Sequence, residues 1–182
     1  MMRTTYLAAA LALGLAATGA VAQKTVMVGG AAMYPTKTIV DNAVNSKDHT
    51  TLVAAVQAAG LVDTLKGPGP FTVFAPTNAA FAKLPAGTVD TLVKPENKGT
   101  LTTVLTYHVV PGRVTAKELM KQIKAGGGKA TLTTVQGGTL TASMMGKTIM
   151  LTDAKGGMSH VTQADVLQSN GVIHVIDTVL MP

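Results

Sequence analysis

The sequence contains no cysteine. Disulfides, a thiol nucleophile and thiolate-bound metal are therefore excluded, and an exported chain of this kind must hold its fold by packing alone. Aromatic residues make up 3% of the chain, and Arg113 is the only arginine beyond the N-terminal segment. Neither a stacking platform nor a guanidinium cluster for nucleic acid can be assembled from such a set. The formal charge of +6 rests on scattered lysines and reads as a solvated basic surface. Metal-ligating patterns are missing as well. His49, His108, His160 and His174 form no His-x-His and no His-Glu-x-x-His, so a zinc site would need distant positions. Gly146-Lys147-Thr148 looks like the end of a phosphate-binding loop, but Thr141 occupies the required upstream glycine position and the segment reads as a hairpin turn. Gly157-Met158-Ser159-His160 lacks the second glycine of a nucleophile elbow. Ser159, His160 and Asp165 can be drawn as a triad, though no spacing demands it.

What is present begins with a targeting pattern. Arg3 precedes an apolar stretch of Ala and Leu from Leu7 to Ala17, and Ala20-Val21-Ala22 has the small-x-small form of a cleavage site. Residues 1–22 read as a signal peptide, with the mature chain starting at Gln23. The 160 residues that remain carry a charge of +5 and suit one domain with a real core. They contain no transmembrane candidate. The expected compartment is periplasmic or extracellular, in a bacterium.

Residues 23–36 read as a flexible or loosely docked leader of small residues around Gly29-Gly30. Helical signals follow. Thr36 or Thr38 caps a short helix through Val44, and Asp48 caps the next, which runs through Leu52, Val53, Val56 and Ala59 to a left-handed Gly60. Phe71 to Ala75 is a strand, and Thr77 or Asn78 caps the helix beyond it. Pro95 opens a helix carrying Leu101, Val104 and Leu105. Tyr107-His108-Val109-Val110 reads as a strand. Thr115 to Glu118 is a capping box for a helix bearing Leu119 and Ile123.

Beyond Gly126-Gly127-Gly128 the period changes from helical to alternating. Strands are expected over 131–135, 139–144, 148–152 and 158–163, with Asp165-Val166-Leu167 as a short apolar stop. The last strand, from Val172, has Val172, His174 and Ile176 on one face and Ile173, Val175 and Val179 on the other. Both faces are mostly apolar, so this strand belongs inside a domain. His108 and His174 sit in apolar strands and read as neutral, hydrogen-bonded core histidines. Helices first and a β-meander after give an α+β fold.

Three blocks together resemble the fasciclin domain family: Phe71-Thr72-Val73-Phe74-Ala75-Pro76-Thr77-Asn78 with Phe81, Tyr107-His108-Val109-Val110-Pro111-Gly112, and Asn170 to Leu180. The resemblance spans roughly Asp48 to Pro182 and implies a wedge-shaped β-structure with a flanking layer of helices, a single fasciclin domain over 37–182. It also implies a non-catalytic module for cell adhesion or matrix interaction. In animal members, integrin recognition is placed at an acidic–aliphatic motif just before the last block. That position reads Asp165-Val166-Leu167 here, with Gln163 and Ala164 where the family has an acid and a proline. The tyrosine–histidine block, Tyr107 and His108, is the other surface implied. The expected partner is thus a cell-surface or matrix protein met through Asp165, Val166, Leu167, Tyr107 and His108, by a monomer without cofactor, metal or nucleic acid. The alternative is a carrier of a small apolar ligand or lipid in the cell envelope, with Met144, Met145, Met150 and Met158 lining an adaptable pocket.

Overall fold

The structure, a computed structural model, describes residues 24–182. The expected signal peptide lies outside the described residues. The leader differs from its expectation. Strands β1 (Val26–Val28) and β2 (Ala31–Met33) pair as an antiparallel hairpin across Gly29 and Gly30, both at positive φ. Val28 and Met33 are buried in the core, so apolar burial docks a segment whose small residues suggested mobility.

Helix α1 (Ile39–Ala43) starts at Thr38, whose hydroxyl accepts from the Asp41 N–H at 3.3 Å. Asp48 does not cap α2 (Thr50–Ala59). It falls within a 3₁₀ turn, Lys47–His49, and His49 takes the cap position without a side-chain bond. Gly60 ends α2 at φ 69°, and the Leu61 N–H returns to the Val56 carbonyl at 3.0 Å, as the left-handed stop requires. Then come α3 (Val62–Lys66), β3 (Phe71–Pro76), α4 (Asn78–Ala82) capped by Thr77, α5 (Thr88–Leu92) and α6 (Lys98–Tyr107). Tyr107 and His108 therefore close a helix instead of opening a strand. The His108 N–H still donates to Leu105 O at 3.1 Å, and the strand β4 is confined to Val109–Pro111. Helix α7 (Ala116–Ala125) is capped by Thr115.

The meander follows as β5 (Lys129–Thr133), β6 (Thr139–Met145), β7 (Thr148–Thr152) and β8 (Met158–Gln168), before β9 (Gly171–Ile176). Asp165-Val166-Leu167 is not a stop. It lies inside β8, where the register against β9 slips between Val161 and Val166 and Asp165 adopts φ 57°. A bulge re-aims the strand there without ending it.

Seven strands form one sheet in the order β4-β3-β9-β8-β7-β6-β5. Its pairs are antiparallel except for β3 with β9, which run parallel from Phe71 opposite Gly171 to Pro76 opposite Ile176. The ends of the sheet nearly meet, the Val135 N–H donating to Val109 O at 2.8 Å.

Every residue of β9 is buried, and the pleat divides the strand between two cores. Ile173 and Val175 join Val73, Ala75 and Val109 under α1, α2, α3 and α6. Ile176 joins Phe74, Leu119, Leu140 and Leu151 on the opposite side, under α7. The first core covers only the β4-β3-β9 end and the last part of β8, at Val166. Beyond it, no helix of the described residues covers the same side of β5, β6, β7 and the first half of β8.

Candidate interaction surface

The residues expected to meet a partner are mostly internal. Tyr107, His108 and Val166 are 0, 2 and 1% exposed. The Tyr107 hydroxyl donates to Thr139 O at 2.7 Å and accepts from the Ala154 N–H at 3.0 Å, tying α6 to the meander. His108 Nδ1–H donates to Val104 O at 2.8 Å, and its Nε2 accepts from the Leu180 N–H at 3.0 Å. That pairing fixes a neutral imidazole, and burial pushes its pKa down to about 4. The two histidines expected in the core are there. His174 accepts from the Asp165 N–H on Nδ1 and donates from Nε2 to Val114 O at 2.7 Å; burial lowers its pKa too.

Asp165 and Leu167 are half-buried. The Asp165 carboxylate accepts from the Ala116 N–H at 2.7 Å, at the first residue of α7. It serves as a second N-terminal partner for that helix, consistent with an Asp placed at a positive-φ bulge. The five expected residues are thus not gathered on one face. Tyr107 and His108 close α6, Asp165 holds α7 from within β8, and Val166 packs in the first core.

The Ser159, His160 and Asp165 arrangement does not assemble. Ser159 Oγ donates to Asp177 Oδ1 at 3.3 Å and accepts from the Thr178 N–H at 3.1 Å. His160 Nδ1 faces Asp177 Oδ2 at 3.2 Å. Burial alone would raise the Asp177 pKa, but donors from His160 and Thr178 and the charge of Lys83 hold it low. Asp165 lies with α7 instead, and the serine hydroxyl makes no bond to the imidazole.

The helix-free side of the meander is where side chains are gathered outward. Registers place Lys129, Ser143, Met150 and His160 in one row across β5 to β8, and Thr131, Thr141, Thr152 and Met158 in the next. Met145 stands opposite Thr148. Met145, Met150 and Met158 therefore run diagonally over three strands, neighbouring members about 7–8 Å apart at the backbone. Met145 and Met158 are more than half exposed, at 55 and 56%. Thr148 stands in the row of Met145, and Thr131, Thr141 and Thr152 in the row of Met158.

Lys129, Lys147 and Lys155 rim this face, exposed, and none makes a salt bridge with a described residue. From residue 129 to 160 the sequence has a single acid, Asp153. Asp153 is buried and accepts from the Lys155, Gly157 and Met181 N–H groups. The sequence alternation puts Thr139, Thr141 and Ser143 on one side, but the cross-strand diagonal depends on registers that only tertiary pairing sets.

Met145, Met150 and Met158 face outward, and none of these three, nor Met144, lines the apolar cavity under the helices.

The fasciclin domain model matches residues 47–182. The chain belongs to the fasciclin domain family. It is 48% identical over 164 residues to protein sll1483 of Synechocystis, covering 88% of this chain and 82% of that one. It is 38% identical over 160 residues to the cell surface glycolipoprotein MPB83 of Mycobacterium bovis, covering 85% of this chain and 64% of that protein. Among solved structures it resembles a FAS1 domain pair from the insect cell adhesion molecule Fasciclin I, with a TM-score of 0.71 at 19% identity, over 80% of this chain and 51% of that one. That likeness shows the fold, and the α+β expectation agrees with it. Among the described residues of this fasciclin protein, no helix is long and apolar enough to cross a membrane.

Proposed function

We propose that this fasciclin protein is an adhesion-type binding module working outside the cytoplasm, and that it meets an acidic cell-surface or matrix protein through the open face of β5 to β8. Family membership and the cell-surface and cell-adhesion names of the relatives support the class. One observation supports the face: a methionine diagonal on a threonine-lined sheet, rimmed by lysines with no exposed acid among residues 129–160. Methionine is polarizable and unbranched, so it adapts to a partner's relief. Lysines at the rim steer an acidic partner and set its orientation more than its final affinity.

The test is surface plasmon resonance against a panel of acidic cell-surface and matrix proteins. Met145→Asp with Met158→Asp is expected to weaken binding by about tenfold or more, since both apolar anchors are lost and the added charge repels the partner. Raising salt from 0.05 to about 0.5 M shortens the reach of the rim charges and should slow association. Binding that ignores both the double substitution and the salt would remove this face from consideration. Asp165→Ala serves as the comparison, because its carboxylate is engaged with α7.

A further inference from the structure

Between the helices and the β3–β9 strands lies a cavity of about 70 Å³. Its floor is Val73 and Ile173, fixed by the parallel pairing of β3 and β9. Its roof is Val40, Leu52, Val56 and Leu65 from α1, α2 and α3. Small branched side chains on the floor leave this volume unfilled.

Water is a poor occupant. A buried water needs two to four polar partners, and the walls are almost wholly apolar. His108 borders the cavity, but both of its nitrogens are engaged by Val104 and Leu180. His49 also borders it, with Nδ1 on Ser46 Oγ at 2.9 Å and Nε2 buried without a hydrogen-bond partner among the described residues, a single free polar atom where a buried water needs at least two. A dry apolar void forfeits dispersion contacts along its lining, and an apolar guest restores them. An engineered dry cavity of about 150 Å³ takes up benzene or xenon; this one is about half that size.

Helices α1 and α3 have five residues each, and short elements open at lower free energy than the sheet beneath them. Val28 and Met33 of the hairpin, with α1, close one side of the cavity. Residues 24–46 that carry them precede the stretch matched by the family model.

We propose that this chamber is a binding site for a small unfunctionalised hydrocarbon group, either a free molecule or the end of a longer alkyl chain. The site is separate from the open sheet face, so its failure would leave the adhesion reading untouched. Methyl NMR of the full chain under xenon pressure and with dissolved n-butane tests it. Saturable shifts are expected at Val56, Leu65 and Ile173 and not at Met145 or Met158, together with a raised melting temperature. Val56→Phe, which fills the space, should lose affinity by about tenfold or more. Val40→Leu, a milder filling, should give a smaller loss should the phenylalanine variant not fold. An octanoate arm separates the sources: binding of octanoate with the same methyl shifts assigns the end of a long chain, and binding of butane alone assigns a free small molecule. Shifts that grow linearly with xenon over all exposed methyls, or affinity unchanged in both filled variants, would overturn the proposal.

Discussion

His174 shows how one side chain joins three elements. It lies on β9, accepts from the Asp165 backbone on β8 and donates to Val114 just before α7. Alanine there would strip a buried N–H and a buried C=O of their partner at once. His174→Ala should lower stability by about 1–3 kcal/mol in chemical denaturation, and an unchanged midpoint would contradict the bonded arrangement. His108 makes the fold sensitive to acid. Its folded pKa of about 4 lies below the ordinary 6.5, so the unfolded chain binds a proton that the folded chain refuses. The stabilisation is whole above pH 6.5, falls as pH drops towards 4, and is gone below it. A shift of that size corresponds to roughly 3 kcal/mol. The pKa values of His174 and His49 are lowered by burial in the same direction and add to the loss. Denaturation midpoints between pH 7 and 4 should fall steeply, and His108→Gln should flatten the slope. The neutral core role of both histidines was legible from their apolar strand-like neighbours. The partners were not, because Val104, Leu180, Val114 and Asp165 reach them only through the fold.

At the scale of elements, the turn into β9 carries much of the specification. Asn170 Nδ2 donates to Leu65 O at 2.6 Å and Gly67 O at 3.0 Å, and its Oδ1 accepts from the Ile39 N–H at 3.0 Å. One amide thereby fixes the start of α1, the end of α3 and the start of β9. The next residue is glycine for a steric reason. A Cβ at Gly171 would lie 2.0 Å from Phe71 O and 3.0 Å from Ile39 Cδ1. Gly171→Ala must push β9 off β3 or shift α1, so a loss on the order of 3 kcal/mol is expected, read from the melting curve. Asn-Gly is recognisable in the sequence as a turn, yet its capping of α1 and α3 spans more than a hundred residues of chain and has no local signature. Caps made by neighbours, such as Thr38, Thr77 and Thr115, were legible, since each acts within its own first turn. Asp48 was misplaced because it lies inside the 3₁₀ turn that precedes α2.

For the whole molecule, the decisive feature is that β9 enters between β3 and β8, two strands far apart in sequence. Neither core can close before it does, since each takes one of its faces. In native-state hydrogen exchange, the amides of Val172 to Val175 should open only with global unfolding, while those of Met145 and Thr148 at the meander's rim exchange sooner. Early exchange across β9 would contradict this order. The sequence by itself determined the two-faced apolar strand, the helical and alternating periods, the local caps and the family blocks, because those patterns are set by neighbours along the chain. The tertiary structure alone decided that Tyr107 and Val166 lie inside, that Asp165 holds α7, and that Met145, Met150 and Met158 share one open face. Exposure depends on which strand pairs with which and in what register, and those pairings join residues that no local pattern links.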